Sequence, residues 1–194
     1  ANNRGVAILG ETLFMGTLDA HLIALDAKTG RSLWDATVGD PKLGYSITLA
    51  PLIVKDKVLV GVGGGEYGIR GYVAAYDAKS GKEAWRFYTI PGPGERGHDT
   101  WTGEMWKTGG GSVWLTPSYD PALNLTYWGI AQAKPWMPAS RGNSAFDKSL
   151  YSASTVALDI DTGKLAWHFQ HVPGESFDLD EVFERVLVDS GADK

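Results

Sequence analysis

The sequence predicts an all-β protein, a partial β-propeller of roughly three to four blades built on Trp-docking repeats. Three observations lead there. One pattern occurs three times, at residues 24–34, 75–85 and 157–167. Gly and Trp are both abundant, 25 and 8 of 194 residues, which pairs tight turns with a recurring large aromatic contact. Short β-branched or aromatic runs fill the intervals, and no long stretch carries convincing helical periodicity.

The repeat supplies the blade geometry. Ala24–Trp34, Ala75–Trp85 and Ala157–Trp167 share Ala, Asp, Thr or Ser, Gly and Trp at identical offsets. Each copy reads as a hairpin. A strand such as His21–Leu25 ends at Asp26, whose carboxylate can accept turn N–H bonds. Gly30, Gly81 and Gly163 stand where a left-handed residue closes the loop. Trp34, Trp85 and Trp167 then open the return strand, each with its ring free to pack between adjacent blades.

The other elements follow in order. Val6–Leu9, Thr12–Met15, Ile47–Val54, Lys57–Val62, Tyr72–Tyr76, Val113–Thr116, Leu125–Ile130 and Ser152–Leu158 read as strands. A short helical turn is expected at Leu179–Val188. Asp26, Asp77 and Asp159 set copy spacings of 51 and then 82 residues. The first matches a four-stranded blade of ~40–50 residues. The longer second interval reflects Gly-, Pro- and polar-rich insertions at 90–111 and 134–150, and long loops in a compact repeat are usually functional. Residues 1–194 read as a single partial domain. A closed propeller needs more blades, so the remainder of the propeller is expected to complete it.

Composition narrows the function. The net charge of −5 argues against nucleic acid, which demands a basic footprint. No apolar run reaches the length of a membrane span. There is no cysteine to report the redox compartment. The chain starts at Ala1 without a signal peptide, which suggests a mature product or an excised fragment.

Several motifs invite chemistry. Gly63, Gly65 and Gly68 satisfy G-x-G-x-x-G after a strand, but a dinucleotide site needs a helix next. Residues 69–77 read as another strand, which excludes that fold. His168 and His171 point to opposite faces of a strand and read as structural or surface residues. His98 stands in the first insertion, at a substrate entrance or, more simply, in a solvated loop. No nucleophile elbow or P-loop pattern is present. Glu175, Asp178, Asp180, Glu181 and Glu184 crowd together, and an acidic surface loop accounts for any single one of them.

Beyond the repeat, Asn3–Gly5, Thr17–Asp26, Val38–Gly44, Thr48–Ile53, Gly63–Gly71 and Gly109–Trp114 resemble, in order, the quinoprotein methanol/ethanol dehydrogenase family. The resemblance covers nearly the whole chain. It implies an eight-bladed parent with pyrroloquinoline quinone (PQQ) near the axis and a metal beneath it, calcium or, in one branch, a lanthanide. It further implies oxidation of a small alcohol to an aldehyde in the periplasm, by hydride transfer to PQQ, with a cytochrome c-type electron acceptor.

Site roles carry over position by position. Glu66 matches the metal-binding glutamate, although a solvated loop glutamate is the plain alternative. Trp114 matches the tryptophan beneath the quinone, a flat surface for a flat cofactor, and lies outside the docking repeat. Thr48 and Ser112 match polar contacts to the cofactor's carboxylates. Arg4 matches a basic contact to the same groups, and Gly64 and Gly65 match backbone contacts. Asp178 matches the catalytic aspartate, which accepts the alcohol's proton, and it also borders the metal. Asp180, two residues on, matches an extra carboxylate that goes with lanthanide use; both side chains are expected on one face of an extended segment.

The sequence also departs from the family. The metal-binding Asn falls on Gln132, whose arm is a methylene longer. Glu175 stands where relatives often carry Asp. The family's adjacent-cysteine pair would precede Ala1, and its later site residues would follow Lys194, so the chain alone is not expected to complete the site. A competing reading is a non-enzymatic propeller scaffold for protein–protein interaction. Glu66, Ser112, Trp114 and Asp178 favour the enzyme, because a pure scaffold has no need of that set.

Overall fold

The aspartate of each repeat builds its turn. Asp26 Oδ1 accepts from the backbone N–H of Lys28 at 3.1 Å and of Thr29 at 2.7 Å, and from the Thr29 hydroxyl at 2.7 Å. Asp77 repeats this with Ser80, and Asp159 with Thr162. These bonds, chiefly the one from the hydroxyl, hold all three carboxyls below their ordinary range. Gly30, Gly81 and Gly163 close the loops with φ of 72°, 70° and 69°.

A computed structural model describes residues 2–144, 146–189 and 191. Its turns link twelve strands: β1 (Ala7–Leu9), β2 (Thr12–Gly16), β3 (His21–Asp26), β4 (Ser32–Thr37), β5 (Leu52–Val54), β6 (Lys57–Gly61), β7 (Tyr72–Asp77), β8 (Glu83–Tyr88), β9 (Ser118–Asp120), β10 (Leu125–Ile130), β11 (Ser154–Asp159) and β12 (Leu165–Gln170). They form three four-stranded antiparallel sheets, each in simple chain order. Every third-to-fourth-strand pair repeats one register, with Ala24 opposite Trp34, Ala75 opposite Trp85 and Ala157 opposite Trp167. A bulge follows each Ala, which adds twist at the same place in every blade.

The tryptophans join the blades. Trp34 lies on the turn of the second blade, and its Nε1 donates to Ala78 O at 3.1 Å. Trp85 lies on the turn of the third, donating to Ile160 O at 2.8 Å, and is 8% exposed. Each ring rests on the repeat glycine. A Cβ on Gly81 would stand 2.7 Å from the Trp34 ring, and one on Gly163 would stand 2.6 Å from the Trp85 ring. Trp167 differs from expectation. No further repeat turn follows it in this chain, and its ring packs on Tyr127 while remaining 45% exposed.

The middle blade is enclosed on both sides. Residues 72–76 of β7 are all buried, whereas Ile8 of β1 and Phe169 of β12 face outward. Among the described residues, no helix is long and apolar enough to cross a membrane.

Three expected elements differ. Only Leu52–Val54 of the expected Ile47–Val54 strand is sheet, because Ile47 and Thr48 pair instead with Thr17 and Arg4 across the inner end of the array. Val113–Thr116 is not a strand either. Val113 N–H donates to Val62 O and the Thr116 hydroxyl to Ala50 O, so the segment stitches blades together, while Ser118–Asp120 supplies the sheet edge. Leu179–Val188 forms no helix. Arg185 Nε donates to Thr155 Oγ1 at 2.7 Å and Val182 is buried, so tertiary contacts dictate its path.

The docking contact yields a stability test. Gly10 and Gly163 both have positive φ, 60° and 69°, but a Cβ on Gly10 meets open space. Gly10→Ala is expected to cost about 1 kcal/mol, the left-handed penalty alone. Gly163→Ala adds overpacking against Trp85, for a total of roughly 2–4 kcal/mol. Urea midpoints measure both, and equal losses would show that the ring does not depend on a bare backbone.

Candidate functional site

Glycine backbone brings the inner ends of the blades together. Ser46 and Gly63 exchange N–H···O bonds of 3.2 and 2.9 Å. Gly110 bridges Arg70 on one side and Ala133 on the other. A Cβ on Gly71 would stand 2.2 Å from Gly111 O, and one on Gly64, where φ is 114°, would stand 2.0 Å from Gly44 O. Side chains here would force the blades apart. The sequence-level G-x-G-x-x-G stretch is thus a close-approach device, and it runs through the short 3-10 turn Gly65–Tyr67 into β7 rather than into a long helix.

That turn presents Glu66. Gly65 N–H donates to the buried Ser112 Oγ at 2.8 Å, tying the turn to the glycine-rich segment before Trp114. Glu66 Oε1 lies 3.1 Å from Lys134 Nζ, and the same ammonium lies 2.9 Å from Asp178 Oδ1. Gln132 stands two residues before Lys134, and its side-chain amide contacts Asp178 Oδ1. Gln132 is 3% exposed, and its Oε1 is buried without a partner.

The charges in this cluster perturb one another. The hydrogen bond from Lys134 holds the Asp178 carboxyl below its ordinary range, helped by the ammonium's charge and by Gln132. Burial alone would lower Lys134, yet bonds to Asp178 and Glu66 hold its ammonium above its ordinary value. Burial pushes Asp180 up to about 6, with Asp178, Glu66 and Glu175 adding repulsion that Lys134 only partly offsets. Asp178 has φ of 63°, so the segment turns there and does not run extended as the sequence suggests. Asp178 and Asp180 nevertheless share one electrostatic neighbourhood.

A second group gathers at Trp114. The Arg4 guanidinium lies 4.8 Å from its ring centroid, and Phe183 meets it edge-on at 6.4 Å. Thr48 Oγ1 donates to Trp114 O at 3.4 Å, and Thr48 O accepts from Arg4 N–H at 2.9 Å. Arg4, Thr48 and Trp114 therefore form one cluster, while Glu66, Gln132, Asp178 and Asp180 form another. Ser112, Gly64 and Gly65 connect them.

The two insertions dock on each other. Trp101 Nε1 donates to Leu150 O at 2.5 Å, and Leu150 N–H donates to Thr100 Oγ1 at 2.8 Å. Met105 and Thr108 from the first, with Pro135 and Trp136 from the second, join Glu66, Lys134 and Asp178 around an open cavity of about 500 Å³. His98 packs against Trp106 and does not line it. His168 lies against Tyr151, and His171 bonds Thr155, so they do not act as a pair. Sequence reasoning missed Lys134. Its one signal is its place two residues after Gln132, on the same face of an extended run.

The donor set suits a hard cation in kind: carboxylates plus a buried amide oxygen that lacks a partner. Among the described residues, however, no three His, Cys, Asp or Glu side chains are arranged to hold a metal ion. The Lys134 ammonium stands between the two nearest carboxylates.

Comparison with known proteins adds a lineage. The family described as "PQQ: Glucose/ethanol/alcohol dehydrogenase, beta-propeller domain" matches residues 2–194. The quinohemoprotein alcohol dehydrogenase ADH IIB of Pseudomonas putida is 47% identical, over all of this chain and 29% of that protein. A lanthanide-dependent methanol dehydrogenase of Methylacidiphilum fumariolicum is 43% identical, over 96% of this chain and 33% of that protein. A solved europium-containing methanol dehydrogenase superposes with a TM-score of 0.86 at 42% identity, over 93% of this chain and 34% of that one. The chain thus spans about a third or less of the length of these relatives.

Asp180 gives the cluster a pH signature. In metal-free protein its proton is expected to leave near pH 6. Between the ordinary carboxylate range and that value, the folded chain keeps a proton that the unfolded chain has released, so this group makes stability fall as pH rises through the window. Asp178→Asn removes the repelling charge and lowers the midpoint; Lys134→Met removes the opposing charge and raises it. Carboxyl carbon NMR titration reads both, and a midpoint unmoved by either change would separate Asp180 from the cluster.

Proposed function

The chain belongs to the PQQ-dependent glucose/ethanol/alcohol dehydrogenase β-propeller family, and we propose on that premise that its parent protein oxidises an alcohol to an aldehyde in the periplasm. The observation that carries the reading is the pairing of two clusters through one hydrogen bond. Gly65 N–H to Ser112 Oγ ties the Glu66 and Asp178 carboxylates and the Gln132 amide to the Trp114 aromatic floor.

Each residue has a physical part. Trp114 offers a planar face to a planar cofactor. Arg4, Thr48, Ser112 and the Gly64 and Gly65 backbone surround it with polar groups suited to a polyanion. PQQ, when bound, supplies the hydride acceptor, and a metal ion supplies Lewis acidity. Asp178, held ionised by Lys134 and Gln132, is the proton acceptor for the alcohol hydroxyl. The cavity beside it, walled by Met105 and Trp136, gives a small alcohol an apolar approach.

Glu66, Gln132, Asp178 and Asp180 are the residues that would hold the metal. A lanthanide is favoured over calcium, because a trivalent ion prefers more anionic oxygen ligands, and Glu66, Asp178 and Asp180 would offer three carboxylates. The relatives named lanthanide-dependent and europium-containing support the same preference. Relatives named quinohemoproteins support electron transfer to a cytochrome c-type acceptor. The scaffold reading gains nothing from these relatives, which are named as dehydrogenases.

Reconstitution of the full-length apoprotein with PQQ and either a light lanthanide or calcium tests the reading. Dye-linked alcohol oxidation is expected with the lanthanide. Asp178→Asn should lower kcat by about 10²–10⁴-fold, the usual contribution of a positioned base. Asp180→Ala should abolish the lanthanide response. Full activity with calcium alone, unchanged by Asp180→Ala, would overturn the metal assignment; no PQQ-dependent oxidation at all would overturn the enzyme.

A further inference from the structure

We infer that Lys134 is a tethered cation that occupies the position between Glu66 and Asp178, so that any metal ion entering there must displace its ammonium. The inference rests on the reading of those two carboxylates as metal ligands. It gives Lys134, which that reading uses only to keep Asp178 ionised, a part in admitting the metal.

Geometry carries it. One ammonium stands 3.1 Å from Glu66 Oε1 and 2.9 Å from Asp178 Oδ1, bridging side chains from different blades. Its side chain is only 10% exposed, whereas those of Glu66 and Asp178 are 70% and 54% exposed. The lysine is thus the buried, fixed member of the trio.

Its stem is clamped as well. Lys134 N–H donates to Gly109 O at 2.9 Å. A Cβ on Gly110 would stand 2.6 Å from Lys134 Cγ, so the bare glycine backbone lies directly on the stem. Pro135 then restricts the next backbone step. The ammonium is therefore delivered to the carboxylates by the fold, at the high effective concentration of a tethered group.

The surroundings do not match a site satisfied by lysine alone. Gln132 Oε1 stays buried without a donor, though the ammonium is bonded to the carboxylate beside it. An ammonium has three N–H directions and no further reach, whereas a metal ion can gather carboxylate and amide oxygens together. A cation must both displace the ammonium and recruit that oxygen. Competition of this kind weakens all metals and penalises a divalent ion most, because it has less charge with which to win the carboxylates.

The probe is terbium(III), titrated into full-length, PQQ-free protein and followed by Trp-sensitised luminescence. Lys134→Met keeps the stem and removes the charge. It is expected to tighten terbium binding by on the order of tenfold or more. Adding Glu66→Gln to it should reverse most of the gain. If Lys134→Met binds terbium no more tightly than the parent while Glu66→Gln weakens binding in both, the metal site stands and the competing lysine is refuted. If neither protein binds terbium, or binding ignores Glu66→Gln, the metal site and the inference fall together.

A measurement on the unaltered chain guards against misfolding of the variant. Reductive methylation of Lys134, read by mass spectrometry, should be slow in metal-free protein and several-fold faster as terbium fills the site. Bound terbium with unchanged Lys134 reactivity would overturn the proposal.

Discussion

The whole array depends on one contact, an indole laid on a glycine of the next blade. Trp34 on Gly81 and Trp85 on Gly163 each bury a large apolar face and satisfy the indole N–H on a backbone carbonyl. Such a contact is worth on the order of 3 kcal/mol from burial, with about 1 kcal/mol more from the hydrogen bond. It works only because the partner turn has no Cβ. The turn, in turn, exists only because an Asp carboxylate collects the N–H and O–H groups before the glycine. Asp, Gly and Trp of the repeat are therefore one device, and losing any member breaks a joint between blades.

Joints of this kind set the position of the inner strand ends to within the tolerance that a site needs. The second device is the bare backbone at Gly64, Gly71, Gly110 and Gly111, where neighbouring chains come closer than any side chain permits. The consequence is functional. Glu66 comes from the second blade, Gln132 and Lys134 from the loop after β10, and Asp178 from the segment after β12, yet they meet at hydrogen-bond distance. The docked insertions, held by Trp101 and Thr100 against Leu150, flank that meeting point, and the second sends Lys134 into it.

What the sequence makes legible follows from the range of each interaction. The repeat turn is local, its members within a few residues of one another, so its chemistry can be read directly. Strands with sheet partners on both sides, such as Leu125–Ile130, are also readable, because their bulky residues serve the pairing they suggest. Val113–Thr116 misleads because its β-branched residues serve contacts between blades, with Val62 and Ala50, which a window of local sequence does not contain. Leu179–Val188 misleads for the same reason, since Arg185 and Val182 answer to the third sheet. In the site, the residues carried over by resemblance do gather in two groups. Lys134 was missed because its partners lie 44 residues downstream, at Asp178, and in another blade, at Glu66.

The charge balance explains why that missed residue matters. Asp178 and Glu66 repel the partly buried Asp180 carboxylate, and the chain balances part of that charge itself. The protein uses two means at once. Lys134 bonds Asp178 and Glu66, which lowers Asp178 and keeps it ionised; Asp180, raised first by burial and then by the neighbouring carboxylates, holds a proton up to about pH 6. Both means are reversible. A proton can leave Asp180 and an entering cation can displace the ammonium, and each departure frees an anionic oxygen in the pocket. The donors that a metal ion needs thus lie close together, with part of their charge balanced from within the chain.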